Sequence, residues 1–526
     1  MKRRRFLQGS AAIAATGSRV AIAQPERART LRFVPHANLT LLDPHFTTAL
    51  VTTNHGWTIY DTLFSLNRAQ EVRPQMAAGY TIEDEGRTCL ITLRDGLRFH
   101  NGEPVLARDC AQSLARWSAR ETMGQSIARF VDQWGVRDDR TIRIALKRPL
   151  PALMPILARG GASIPFIMPE HIAKTDPFKQ VTETIGSGPY RFVKDEFVAG
   201  SRVVYARNAD YVPRQEAAEW TSGGKVAHFD RVEWKVIPDS ATAALALQSG
   251  EIDWYEQVQP DLLPLLRAHP GIAIGSANPT GYNAILRFNH LQPPFNNVAI
   301  RRAVMMAVDQ SDYMASITAN DPTAWRVCKS LLPCGTADGR EIGASAMPGN
   351  LERARAALKE AGYNNEKIVI ISPTDFVTIG PLGDVSFDLF RRLGMNVEIV
   401  QTDWGTVSQR RLNREGVEKG GWSALHTWGS STTIGNPISQ FFMRGLGDSG
   451  WSGWFKDETI EQLTDQWLLA GSDAERASVA DAIQRQAFDR VPSVPLGQFH
   501  IRTAYSRTLT GLVEAPGAMP WNIKRI

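Results

Sequence analysis

Ile368-Val369-Ile370-Ile371, Val397-Glu398-Ile399-Val400 and Ala424-Leu425-His426-Thr427-Trp428 are three runs of strand length, and their arrangement decides how this chain is read. Helical spacing fills the gaps, with Val385 to Leu393 between the first two and Thr406 to Asn413 before the third. Strands alternating with helices predict a βαβαβ unit and a mainly parallel sheet. Ligands of open α/β sheets lie beyond the carboxyl ends of the strands. Those ends carry Ser372-Pro373-Thr374-Asp375, Thr402-Asp403-Trp404 and Trp428-Gly429-Ser430-Ser431. As a group they predict a cleft built from Asp375, Asp403, Trp404, Trp428 and Ser430. Taken singly, each also suits an ordinary loop or a helix cap. His426 reads in two ways, as a cleft or metal-complex residue or as a structural histidine.

Working outward, Val298 to Val308 is an amphipathic helix with Ala303, Val304, Ala307 and Val308 inward. Leu351, Ala354, Leu358 and Ala361 share one face of a helix that Gly362 can end. Cys89 to Arg94 alternates as a strand, followed by turns at Asp95-Gly96 and Asn101-Gly102. Ala107 to Arg120 has helical spacing, and Ile142, Ile144 and Leu146 alternate after a turn at Asp138-Asp139. The prolines between Pro149 and Pro177 predict irregular connections.

The first residues read as an export signal. Arg3-Arg4-Arg5-Phe6-Leu7-Gln8 precedes a small-residue apolar run, Ala11 to Gly17, and Ala21-Ile22-Ala23 is a small-x-small cleavage pattern. Residues 1–23 are therefore expected to be a signal of twin-arginine type, although Arg19 interrupts its apolar part. The alternative is a basic, unstructured start. Lys2, Arg3, Arg4, Arg5 and Arg19 account for the whole formal charge of +5, so a chain without this segment has a net charge of 0. Nucleic acid and anionic membrane are then not expected partners. No cysteine precedes Cys89, so no lipid anchor follows the signal, and a soluble periplasmic monomer is expected.

A chain of 526 residues exceeds one core and predicts two or three domains. Of its four cysteines, Cys89 and Cys110 fall on apolar faces and read as buried thiols. The spacing of Cys328 and Cys334 permits a short disulfide loop. No GxxxxGK[ST], GxSxG or HExxH motif is present. Gly445-Leu446-Gly447-Asp448-Ser449-Gly450 matches GxGxxG formally but lacks a preceding strand and reads as a loop. No cofactor, metal or catalytic residue is expected.

Seven motifs in order give the chain a family likeness. They are Leu42-Asp43-Pro44-His45 with Ile59-Tyr60-Asp61-Thr62-Leu63; Leu93-Arg94-Asp95-Gly96 through Phe99-His100-Asn101-Gly102; Ile185-Gly186-Ser187-Gly188-Pro189-Tyr190; Ala246-Leu247-Gln248-Ser249-Gly250-Glu251-Ile252-Asp253; Phe288-Asn289 with Pro294-Phe295-Asn296-Asn297; Arg301-Arg302-Ala303 with Ala307-Val308-Asp309; and Ala361-Gly362-Tyr363. From about Leu31 to near its end the chain resembles the large solute-binding proteins of ABC importers, the dipeptide-, oligopeptide- and nickel-binding family. The resemblance implies an α/β fold, a type II periplasmic-binding-protein clamshell of two lobes with an inserted subdomain. It assigns 31–65, 185–283 and 498–526 to lobe I, 66–184 to the subdomain and 284–497 to lobe II. It implies capture of a small or peptide-like ligand between the lobes and delivery to an inner-membrane permease with its ATPase, without covalent chemistry. A secreted hydrolase on the same clamshell and a ligand-delivering sensor protein are the alternatives.

The chain departs from the dipeptide-binding pattern. Ser423 to Phe442 contains no acid for a peptide amino group, and Ser372-Pro373-Thr374-Asp375-Phe376 contains no base for a peptide carboxylate. An unpaired buried carboxylate would cost several kcal/mol. A free dipeptide held in the usual way is therefore not expected. Asp375 and Asp403 beside Trp404 and Trp428 suggest a cationic, or neutral and partly apolar, ligand. Thr47, Thr48, Thr52 and Asn54 are expected to face the cleft from lobe I, and Tyr282 and Asn283 from the hinge side.

Overall fold

The computed structural model describes residues 28–161, 164–336 and 338–526, so the expected signal at 1–23 lies outside the described residues. Three larger sheets organise the chain. A seven-stranded sheet runs in the order Ile272–Ser276, Arg502–Ser506, Trp254–Tyr255, Thr30–Val34, Arg231–Lys235, Arg202–Arg207, Tyr190–Phe192. A six-stranded sheet runs Trp325–Arg326, Ser493–Phe499, Tyr282–Phe288, Ala424–Ser430, Ile368–Pro373, Val397–Thr402. A four-stranded antiparallel sheet is built from Ala77–Glu83, Thr88–Leu93, Thr141–Leu146 and Val131–Asp138.

The three strands of the opening motif are all present, and Ile368–Pro373 pairs in parallel with both Val397–Thr402 and Ala424–Ser430. The expectation of a mainly parallel sheet is corrected. Tyr282–Phe288 inserts antiparallel beside Ala424–Ser430, Ser493–Phe499 lies antiparallel beside it, and Trp325–Arg326 closes that edge antiparallel. Two parallel pairings therefore stand against three antiparallel ones. Both inserted strands are buried along their whole length, so they carry no alternation that would show their neighbours in the sequence.

The first two sheets are joined at two places. The chain passes from Ile272–Ser276 to Tyr282–Phe288 and returns from Ser493–Phe499 to Arg502–Ser506. The strands flanking the crossings pair within each sheet, so the crossings run side by side. The third sheet packs on the helix Ala107–Arg120 and has its own core, centred on Cys89, Ile91, Leu114, Trp117 and Ile142.

Local chemistry explains the motifs. Gly96 and Gly102 turn the chain at φ of 78° and 86°, where a side chain would be strained. Gly188 lets the chain pass the end of the helix Leu50–Ile59, since a methyl there would lie 2.8 Å from the Ile59 carbonyl carbon. The Asn297 side chain accepts from the Ala299 amide and caps Val298–Ala307. Cys328 and Cys334 form a disulfide with their Cα atoms 5.9 Å apart, while Cys89 and Cys110 are buried free thiols.

Candidate functional site: a cleft between the two large sheets

The cleft forms where the carboxyl ends of Ile368–Pro373, Val397–Thr402 and Ala424–Ser430 meet residues 36–50 of the first sheet's side. Two cavities open along it and share Thr48, Arg411 and Trp451 in their walls. The outer one has a volume of about 260 Å³, near the lower end for small-molecule sites. The inner one, about 40 Å³, is closed tightly by aromatic side chains.

Those side chains are packed against one another. Phe376 meets Trp404 and Trp428 edge-on at 5.0 and 5.7 Å between ring centres, and Trp451 lies 5.0 Å from Phe442. His36 closes the floor 5.1 Å from Phe376. Its amide and Nδ1 both lie within hydrogen-bond distance of Glu256 Oε2, at 2.8 and 2.7 Å.

Arg411, which follows the helix Trp404–Arg410, brings a buried positive charge to the wall of both cavities. Its side chain is 5 % exposed and lies 5.9 Å from the Trp404 ring and 5.4 Å from the Trp451 ring. Its Nη2 donates to Thr47 Oγ1 at 3.2 Å, and its Nε has no hydrogen-bond partner. Burial, with the nearby Arg120 charge adding to it, pushes its pKa down to about 10. No carboxylate among the described residues pairs with it. The acids in the outer wall are already engaged, Glu121 with Arg159 at 3.0 Å and Asp448 with Arg414.

Of the residues expected from the sequence, Thr47, Thr48, Trp404, Trp428 and Ser430 line these cavities. The others do not. The Thr52 hydroxyl donates to the Leu41 carbonyl, and Asn54 bridges Glu256 and the Ala518 amide. Asn283 donates to Ser431 Oγ beside the crossing, and Tyr282 packs behind Trp428 with ring centres 4.5 Å apart. His426 Nε2 lies 2.7 Å from Ser386 Oγ inside the six-stranded lobe, and burial holds its pKa down at about 3. It is a neutral core histidine.

The two aspartates are corrected as cleft carboxylates. Asp375 accepts the Trp404 amide at 2.7 Å and positions that ring from below. Burial raises its pKa, and the Trp404 bond opposes the rise. Asp403 caps the next helix through the Thr406 amide and hydroxyl; burial alone would raise its pKa, but the Thr406 bonds bring it below the usual value. Both act at the start of a helix, where a short acid finds free amides.

Sequence reading missed Arg411, Phe376, His36 and Trp451. Arg411 was legible in principle, because it stands seven residues after Trp404 with Ser408 between them, on one helix face. Trp451 follows a glycine-rich loop without periodicity, and nothing local marks it. That loop, the formal GxGxxG match, borders the outer cavity with Asp448, Ser449 and Gly450.

Comparison with known proteins places this architecture. The model of the bacterial extracellular solute-binding proteins, family 5, matches residues 71–444. A probable peptide ABC transporter periplasmic-binding protein of Sinorhizobium fredii is 38 % identical over 492 residues, covering 93 % of this chain and 92 % of that one. In fold, the chain is similar to the binding protein AgaA solved with agropinic acid (TM-score 0.80, 20 % identity, 94 % and 99 % of the two chains covered). It is also similar to a dipeptide-binding protein from Pseudoalteromonas solved with Met-Leu (TM-score 0.77, 19 % identity, 94 % and 100 % covered). The family model and the sequence relative agree with the two-sheet architecture, and the chain belongs to family 5 of the bacterial extracellular solute-binding proteins.

Proposed function

We propose that this protein captures a small, partly apolar acid or peptide-like ligand in the cleft and presents it to an ABC importer from the periplasm. The proposed lobes are 31–65 with 185–283 and 498–526, and 284–497, with 66–184 inserted, and the proposed export signal is residues 1–23. The observation that carries the ligand class is Arg411, a buried cation beside two tryptophan rings with a donor unused and no acid opposite it. A ligand carboxylate supplies the missing charge, and Phe376, Trp404, Trp428 and Trp451 cover its apolar part. The acids in the wall are already paired, so recognition falls on the ligand's carboxylate rather than on an amino group. The relatives support this reading: one is named for peptides, and one structural neighbour holds agropinic acid.

Binding needs no covalent step. A ligand that touches both lobes stabilises the closed form by its difference in affinity for the closed and open states. Native mass spectrometry of freshly purified protein tests the proposal. The expected result is a stoichiometric adduct that leaves on denaturation, carries an acidic group and is missing from Arg411→Gln. An adduct without an anionic group, or one retained by Arg411→Gln, would overturn it.

A further inference from the structure

We propose that the outer cavity is a two-arginine site whose ligand carries two negative charges, engaging Arg411 from the six-stranded lobe and Arg120 from the inserted subdomain. This rests on the cleft being the ligand site, and it adds the subdomain as a third contributor.

Both guanidinium groups line the same cavity of about 260 Å³. Arg120 is the last residue of the helix Ala107–Arg120. It is flanked by Phe46 and Phe178 at 5.3 and 5.6 Å and uses one nitrogen on the Phe46 carbonyl at 3.3 Å. Its Nε is buried without a partner, as is that of Arg411. One further wall residue carries the same signature, with Ser408 Oγ buried and unbonded. Ser408 is 2 % exposed. Buried polar atoms are almost always satisfied, so three such side chains around one cavity describe a ligand rich in acceptors.

The electrostatics set how much charge that ligand brings. Arg120 and Arg411 lie close enough for the charge of Arg120 to depress the Arg411 pKa. One carboxylate satisfies one guanidinium and leaves the other beside a like charge without an ion-pair partner. Two negative charges satisfy both, and the fork of each arginine suits a carboxylate or a phosphoryl group. Asp43 and Glu121 act on Arg120 through space, but their direct ion pairs are with Arg116 and Arg159, and neither is bonded to Arg120 or Arg411.

Thermal unfolding at matched ionic strength tests this, with acetate, malonate and inorganic phosphate as probes against chloride. Malonate or phosphate should raise the wild-type midpoint by several degrees with saturation, and acetate should do little. Arg120→Gln and Arg411→Gln should each abolish the rise, and Arg120→Lys should keep part of it. A response to malonate assigns a dicarboxylate, and one to phosphate a phosphoryl ligand. Equal response to acetate, no response to any anion, or a full response in Arg120→Gln overturns the two-arginine site. If Arg411→Gln alone loses the response, the two-charge ligand fails while the anion-binding cleft stands. If both glutamine variants respond like the wild type, both readings fail.

Discussion

Two buried arginines stand on either side of the problem that this fold solves. Arg287, on the strand Tyr282–Phe288, and Arg411, in the cleft, both lie about 5.5 Å from the Trp451 ring, and neither is paired with an acid among the described residues. Arg287 donates to the carbonyls of Ser452, Phe442, Pro492 and Trp451 and to Ser493 Oγ, so it ties the loop after Phe442 to two strands. Arg411 has the Thr47 hydroxyl and an unused Nε. Burial pushes the pKa of both down, to about 9 and about 10. What separates the scaffold residue from the proposed binding residue is therefore the state of its donors. A cation whose donors are filled by main-chain carbonyls holds the protein together. A cation with donors to spare is held ready for something else.

The largest test of that contrast is Arg287→Met. It strands several buried carbonyls and should cost about 3–5 kcal/mol in urea unfolding. If the loss were under about 1 kcal/mol, the carbonyl cage would not be the structural tie described. Trp451→Ala touches both regions. It should cost about 2 kcal/mol, less than a fully buried tryptophan, and should weaken ligand binding as well. Loss of one effect without the other would show that the ring serves only one of the two arginines. Arg411→Met should leave unliganded stability within about 1 kcal/mol of wild type, shifted toward stabilisation, and weaken binding of an acidic ligand at least about tenfold. A destabilisation like that of Arg287→Met would erase the distinction.

The smallest effect concerns Asp375. Its carboxyl titrates above the usual value, so the folded protein holds its proton more tightly than the unfolded chain, and stability falls as pH rises through that window. Asp375→Asn keeps an oxygen for the Trp404 amide and removes the buried charge. It should be slightly more stable than wild type at pH 7, with the gain shrinking toward pH 4, as read from unfolding midpoints. A constant difference across pH would mean that the carboxyl is not strained by burial.

How much of this was legible in the sequence follows the range of each signal. The strand Ile368–Pro373 and the helices Ala107–Arg120 and Val298–Ala307 declare themselves through local periodicity. The helix Gly380–Arg392 starts five residues before the reading from Val385, because its glycine and proline opening lowers local helix propensity. The partners of Tyr282–Phe288 come from positions more than one hundred residues away and have no local mark. In the cleft, Trp404 and Trp428 were legible as aromatics at strand ends. Asp375 and Asp403 were placed at the right loops with the wrong task, since an acid at a strand end is read equally well as a ligand contact and as a helix cap. Arg411 shares a helix face with Trp404 and Ser408, a spacing that hints at the cleft, but an arginine there reads as solvated until tertiary packing buries it.

The spare donors of Arg411 also bear on what the unliganded protein does between encounters. Closing the cleft strips water from a cation that no acid among the described residues pairs with, and every 1.4 kcal/mol of that penalty shifts the resting population tenfold toward the open form. An acidic ligand removes the penalty at the moment it arrives. On the proposed function, the arginine that meets the cargo also works as a check against false reports: a transporter that responds to the closed shape would be answered by loaded molecules and spared idle turns by the vacant ones.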